Sequence, residues 1–236
     1  MVANLSSAKI VRVDEGRINS RIIAREAKAD YRRIEAASIK KLVCLSSAQG
    51  KRMFVRHFVT LQLHVHFIAV FARTRLDSDE LEKVEEAIRS QLNTVHQSLL
   101  QAIDGIEHLF KEHGISTVAT YDNQPLEIEV GVISSIGRRY LESIEMFDQL
   151  MPCFQTLEIY EVLTPKAIDT QVALLKRALR NVSVTSRRFA LGLSRRMNEV
   201  ALAAASQGLG ETEISENLTA QEEGRTEEAE EPGVPE

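Results

Sequence analysis

Polar side chains that can donate and accept hydrogen bonds alternate with apolar side chains between Arg56 and Arg73. Thr60, Gln62 and His64 occupy every second position, and valine, leucine and phenylalanine lie between them. A period of two is typical of a half-buried β-strand, because successive side chains point to opposite faces. An exposed face of hydroxyl, amide and imidazole groups suits the base edges in the DNA major groove. A solvated face of an ordinary sheet strand is the alternative, and the pattern leaves it open.

Basic residues flank this predicted strand on both sides. They are Lys51, Arg52 and Arg56 before it and Arg73 and Arg75 after it. Lysine and arginine bind DNA phosphates, whereas contacts to base edges specify the sequence. We therefore predict two kinds of DNA-binding residue in this region. The base readers are Thr60, Gln62 and His64, and the flanking basic residues contact phosphates.

Motifs that would indicate an enzyme are missing from the sequence. It contains no glycine-rich phosphate loop, no nucleophile elbow and no pair of acids in a catalytic context. His64 and His66 have legitimate metal-ligand spacing on a strand, but His57 falls on the opposite face and no third ligand is evident. The sequence thus predicts no catalytic residues, metal site or cofactor. A metal-dependent enzyme remains the least favoured alternative.

Charge is segregated along the 236 residues, so the net charge of -5 hides a basic body. From Glu211 onward there are ten acidic residues and one arginine, whereas residues 1–210 hold 28 basic and 24 acidic residues. The first 60 residues alone contain thirteen basic and five acidic residues. A basic excess of this size favours a polyanionic partner, although a solvated helix face also explains part of it. The acidic tail is either a disordered, solvating segment or a competitor of nucleic acid for the basic body.

Apolar spacing predicts several helices and one further strand. A basic helix is expected over residues 17–47. A long core or dimerisation helix should begin at Asp77, with Glu80 in a capping box, and should end near Gly114. A strand is expected from Leu126 to Val132, with Glu127 and Glu129 on its outward face.

Two more helices are expected in the last third of the chain. One begins at Ser134 or Ser135, and Pro152 should break or kink it. The other begins at Thr164-Pro165 and runs to about Val200, with a basic side opposite its apolar stripe. A basic side of this kind is typical of a solvated helix, and its two arginine pairs, about two turns apart, would also suit a phosphate backbone.

Two cysteines, Cys44 and Cys153, match no metal or redox spacing. The longest apolar run, Phe67 to Ala72, is too short to span a bilayer, and no signal peptide is evident. We therefore expect a cytoplasmic protein, associated with the bacterial nucleoid if it binds DNA, and no membrane partner.

Two segments carry a resemblance to a known family. FVTLQLHVHFIAVFARTR and PLEIEV…RRYLESIEMFDQL, within a region from about Lys51 to Met197, resemble the AcaB-like proteins of conjugative plasmids and integrating conjugative elements. Their shared marks are a His-bearing strand and a helix in which Tyr140-Leu141 is followed seven residues later by Asp148. The resemblance implies a dimeric DNA-binding activator of transfer genes, similar in fold to ribbon-helix-helix regulators.

The predicted fold class is accordingly α+β and mostly helical, a ribbon-helix-helix-like arrangement of a short antiparallel β-ribbon with long helices. We expect a basic N-terminal arm and helix over residues 1–50, a DNA-binding and dimerisation domain over 51–205, and a disordered acidic tail over 206–236. The expected partners are promoter double-stranded DNA and a second copy of the chain, and RNA polymerase is left open. The alternative is a non-enzymatic adaptor of a conjugative element that binds a protein through its long helix.

Overall fold

The computed structural model describes residues 14, 17–28 and 36–206 of the chain. Residues 1–13, 15–16 and 29–35 of the expected N-terminal arm and helix, and the expected acidic tail beyond residue 206, lie outside the described residues. The elements in chain order begin with α1 (Ile18–Lys28), β1 (Ile39–Leu45), α2 (Ala48–Met53) and α3 (Val59–His66). They continue with α4 (Ser78–Glu112), β2 (Leu126–Val132), α5 (Ser135–Ile159) and α6 (Pro165–Ser206).

The stretch expected to be a DNA-reading strand is helical, so that prediction is wrong. Helices α2 and α3 belong to one helical run, Ala48–Thr74, which we call the central helix. A π-helical segment, Phe54–Phe58, lies between α2 and α3, and a second one, Phe67–Phe71, follows α3. A short 3₁₀ turn ends the run. No glycine or proline occurs between residues 51 and 104, so nothing in the sequence interrupts a helix there.

The central helix is also the one helix among the described residues that could cross a membrane by length and composition. It has 27 residues, and half of its most apolar window is buried inside the protein. The expectation that no segment is long and apolar enough to span a bilayer was therefore wrong, because it counted only the uninterrupted apolar run. A core helix of a globular protein meets the same criteria, so the finding is weak evidence for a membrane segment.

The sheet consists of two antiparallel strands from one chain. Its register runs from Ile39 opposite Val132 to Leu45 opposite Leu126. Strand β2 confirms the prediction for Leu126 to Val132, with its glutamates exposed and its apolar residues buried. Strand β1 falls within the residues 17–47 that were expected to be one helix, and only α1 confirms the helical part of that prediction.

The three long helices begin as the sequence predicts. Asp77 caps α4 and Ser134 caps α5, accepting hydrogen bonds from the amides of Asp79 and Gly137 respectively. Gly114 adopts a positive φ of 64° just after α4, where a side chain would be strained. Pro152 does not end α5, which continues to Ile159.

The four long helical segments pack into one core beside the sheet. The central helix contacts α5 and α6, and α4 contacts the same two helices. Short connections link the central helix to α4 and α5 to α6. The coarse prediction of a mostly helical α+β protein with a two-stranded antiparallel sheet is confirmed.

Candidate nucleic-acid interface

Helix α6 has a buried apolar side and an exposed basic side. Leu175, Leu179 and Val182 lie in the core. The helix contains eight basic and two acidic residues, a net charge of +6. Six of the basic residues are exposed within an arc of about 100° at 100° per residue, and we call them the basic face of α6: Lys166, Arg177, Arg180, Arg187, Arg188 and Arg195.

The basic face continues onto the central helix at one point of contact. Ser183 Oγ lies 3.5 Å from the backbone oxygen of His57 and donates a hydrogen bond to it. Arg180 lies one turn before Ser183 and is therefore brought close to His57 and Arg56. We call Arg56, His57 and Arg180 the arginine junction.

The electrostatic field of the arginine junction is visible in its histidine. The pKa of His57 falls from 6.5 to about 4, chiefly because the ring is buried and further because Arg180 and Arg56 lie near it. Both effects disfavour the charged imidazolium. At neutral pH the imidazole is therefore uncharged, and the two exposed guanidinium groups supply the positive charge of the junction.

Guanidinium groups in this arrangement suit an extended anion. Arg52, Arg56, Arg177 and Arg180 form no ion pair within the part of the chain that the structure describes. Arginine binds phosphate oxygens through two parallel hydrogen bonds. The basic face spans about 43 Å along α6, at 1.5 Å per residue. That length exceeds one turn of B-DNA, which is about 34 Å.

The second arginine pair of α6 is not wholly available to a ligand. Arg196 lies off the basic face and forms an ion pair with Glu80 at the start of α4. Arg195, its neighbour, is exposed on the basic face. Arg187, Arg188 and Arg195 are therefore exposed on one face, whereas Arg196 is held by Glu80.

The three predicted base readers do not form an exposed row. Gln62 is completely buried: its Nε2 donates to the Gly131 oxygen over 3.0 Å, and its Oε1 accepts from the Ile133 amide over 3.0 Å. His64 is buried and Thr60 is half-buried. The helix turns these residues into the core, so the strand-face argument for their contact with bases is wrong.

The predicted phosphate-binding residues separate into two groups. Arg52 and Arg56 are exposed near the start of the central helix, but Lys51 is buried. Arg73 and Arg75 lie at its other end, about 25 Å from Arg56 by helical rise. Arg73 forms a 3.2 Å ion pair with Glu85 of α4. Of the five predicted residues, only Arg52 and Arg56 are therefore exposed at the end of the central helix where the arginine junction lies.

The two histidines considered as metal ligands are both buried in the central helix. In a helix, residues two apart do not share a face, so His64 and His66 do not converge. Among residues 14, 17–28 and 36–206, no group of three or more histidine, cysteine, aspartate or glutamate side chains is placed to hold a metal ion.

Two residues that position the interface were not identified as such from the sequence. Tyr140 Oη donates to the Leu179 oxygen over 3.2 Å and holds α5 against α6. Asp148 accepts hydrogen bonds from the Ser46 amide at 2.8 Å, the Ser47 amide at 2.9 Å and Ser47 Oγ at 2.5 Å. Both residues belong to the Tyr-Leu…Asp motif. The sequence therefore pointed to these residues but could not show the contacts that they make.

A close backbone approach completes this contact. A Cβ on Gly50 would lie 2.2 Å from Asp148 Oδ1, which is far inside van der Waals contact. Glycine is therefore required where the first turn of the central helix meets α5. Burial also raises the pKa of the Tyr140 hydroxyl, so it remains a hydrogen-bond donor. Asp148 and Tyr140 together fix the central helix and α6 relative to α5.

Comparison with known proteins supports the fold. No family model matches the chain, and a search of curated proteins finds no significant match. Among solved structures, the crystal structure of selenomethionine-containing AcaB from uropathogenic E. coli matches with a TM-score of 0.60 and 22% identity. The match covers 74% of this chain and 86% of that chain. The fold is AcaB-like. At this identity the likeness concerns the fold alone.

Proposed function

We propose that this protein is a DNA-binding transcription regulator that contacts the DNA backbone through the basic face of α6 and the arginine junction. The observation that carries the proposal is the continuity of these two surfaces, joined where Ser183 meets the backbone of His57. Arginines spaced along one helix match the repeated phosphates of a duplex. Regulation of conjugative transfer genes comes from the sequence resemblance to the AcaB-like activators, and the AcaB-like fold supports it.

The order β2–α5–α6 is the strand-helix-helix order of a ribbon-helix-helix regulator. We propose an arrangement related to that motif, with one difference in the DNA contact. Strand β2 pairs with β1 of its own chain and exposes Glu127 and Glu129, which would repel phosphates. For this reason we assign the phosphate contacts to α6 and the central helix, and we assign no base contact to a ribbon inserted in the major groove.

The remaining parts of the proposal concern how the protein works in the cell. We propose a homodimer in the bacterial cytoplasm, acting on promoter DNA without enzymatic activity or a cofactor. The last turns of α6 support a second copy as partner, because Val200 and Leu202 are 53% and 71% exposed there. Light scattering of the full chain should give twice the mass of one chain, and a monomeric mass would remove the dimer from the proposal.

Fluorescence anisotropy with a labelled duplex, measured over a salt series, tests the DNA contact. The duplex carries DNA upstream of the transfer genes of the protein's own element, and a scrambled duplex is the comparison. The test variant combines Arg177→Gln, Arg180→Gln and Arg188→Gln. We expect it to bind about 30-fold or more weakly at about 100 mM salt, with a salt slope smaller by about 2.7, since each phosphate contact contributes about 0.9.

The matched control removes the same charge from α4. Lys83→Gln, Arg89→Gln and Lys111→Gln together change the net charge equally but lie outside the proposed interface. This variant should bind within about threefold of the wild type. Equal loss in both variants would mean that only the total charge matters, which contradicts the assigned interface. No binding by the wild type would contradict DNA binding altogether and favour the adaptor that binds a protein partner through α4.

A further inference from the structure

A cleft of about 350 Å³ opens where α1, the start of the central helix and the loop before β2 meet. One wall is apolar and includes Ile18, Ile22 and Val55. Ile18 is 52% exposed in the free protein, so part of this apolar wall faces solvent. A volume of this size is within the range of small-molecule sites, which combine apolar walls with a few polar groups.

The other wall of the cleft is positively charged. Lys51, Arg52 and Arg56 line it, and among the described residues that line the cleft the single acidic one is Asp14. The carboxylate of Asp14 already accepts hydrogen bonds from the Asn19 amide at 3.0 Å and from the amide and hydroxyl of Ser20, each at 3.2 Å. Asp14 therefore caps the first turn of α1, and the described residues of the cleft offer little other negative charge to the three cations.

Lys51 is the deepest of these cations and is only 6% exposed. Its Nζ donates to Asn19 Oδ1 over 2.8 Å and to the Gln124 oxygen over 3.0 Å, and both acceptors are neutral. No carboxylate among the described residues lies within ion-pair distance of it. An ammonium group has three N–H donors, and a buried charge without an anionic partner is costly. Burial lowers the pKa of Lys51, although Asp14 and Asp148 oppose this effect.

We infer that this cleft binds a small organic carboxylate with a short apolar body. The carboxylate would pair with the Lys51 ammonium and the Arg52 guanidinium, and the apolar body would cover Ile18, Ile22 and Val55. Such a ligand supplies an anion that no described residue offers to the buried ammonium, and it also removes apolar surface from water. A bare inorganic anion would satisfy only the first of these requirements. The inference does not rest on DNA binding.

Isothermal titration calorimetry of the full chain with hexanoate, in the absence of DNA, tests this site. Hexan-1-ol is the neutral ligand control, because it keeps the apolar body and loses the charge. We expect saturable binding of hexanoate with one site per chain and no measurable binding of hexan-1-ol. Lys51→Met keeps an unbranched side chain that is one atom shorter and removes the ammonium, so it should weaken hexanoate binding by about tenfold or more. Lys83→Met on α4 removes the same charge elsewhere and should leave the binding unchanged.

A second variant keeps the test decisive if Lys51→Met does not fold. Arg52→Gln lies at the exposed rim of the cleft and should weaken hexanoate binding about threefold or more while circular dichroism stays unchanged. The inference is overturned if the wild type does not bind hexanoate, if hexan-1-ol binds as tightly, or if both variants bind like the wild type. Because no DNA is present, failure here is separate from failure of the proposed function.

Discussion

Helices α4 and α6 have similar buried sides but differ in the charge of their polar residues. Each buries one apolar stripe against the same core, and the two helices contact each other. Yet α4 contains eight acidic and three basic residues, a net charge of -5, whereas α6 contains two acidic and eight basic residues, a net charge of +6. Isolated surface charges contribute little to folding stability. The difference therefore concerns which partners each surface attracts. It favours α6 over α4 as the surface that binds a polyanion.

The largest expected effect tests the similarity of the two buried stripes. Leu92 of α4 and Leu179 of α6 are both fully buried. Leu92→Ala and Leu179→Ala should each lower the free energy of unfolding by about 3 kcal/mol, through lost transfer energy and a cavity. Urea unfolding followed by circular dichroism measures this. Leu174→Ala, at an exposed position of α6, should change it by less than about 0.5 kcal/mol. A cost below about 1 kcal/mol at either buried site would show that the two helices are not packed alike.

An intermediate effect tests the positive field that α6 adds to the central helix. His57 has a pKa of about 4 in the folded protein and an ordinary value of 6.5, so the unfolded chain binds more protons between these values. His57 therefore does not lower the free energy of unfolding above pH 6.5. As the pH falls from 6.5 towards 4, protonation of His57 in the unfolded chain lowers that free energy. Allowing for solvent screening of this half-buried group, we expect a loss of about 1 kcal/mol between pH 7 and pH 5.

Urea unfolding at the two pH values measures this loss, and two variants assign it. His57→Gln should reduce the loss by most of that amount, because the titrating group is gone. Arg180→Gln should reduce it less, since Arg180 contributes less to the pKa than burial does. If His57→Gln shows the same pH dependence as the wild type, other groups are responsible and the field of α6 at this site is unimportant.

The smallest expected effect concerns the direct link between the oppositely charged helices. Glu80 of α4 and Arg196 of α6 form an ion pair with both side chains partly exposed. A double-mutant cycle with Glu80→Gln and Arg196→Gln should give a coupling of about 0.5 kcal/mol, falling further at high salt. A coupling above about 2 kcal/mol would mean that charge attraction, and not the apolar stripes, holds the two helices together.

The sequence supported the long helices and β2 because local signals and periodicity agreed there. Asp77, Ser134 and Thr164-Pro165 mark helix starts, and each is followed by apolar residues spaced three or four apart. In β2 the alternating polar residues are glutamates, which must stay exposed, and Pro125 stands before the strand. Charge and turn signals therefore fixed both the element and its outward face.

The same period of two was misleading in the central helix. Its alternating polar residues are uncharged, so Gln62 can be buried once the Gly131 and Ile133 backbone groups satisfy its amide. These partners lie 69 and 71 residues away, which no local pattern can show. The basic side of α6 was visible in the sequence, but its continuity with Arg56 depends on packing between helices. Lys51 was misassigned for the same reason, since its acceptors are brought together only by the fold.

The contact between Asp148 and the Ser46-Ser47 turn has a consequence for the folding of the chain. The hydrogen bonds join groups 102 and 101 residues apart, and loop closure over such separations is slow. Ser47 can cap Gly50 locally at any time, but the turn amides of Ser46 and Ser47 receive their carboxylate only when α5 docks. We therefore expect the beginning of the central helix to gain its full hydrogen-exchange protection late in refolding, after α4 has formed.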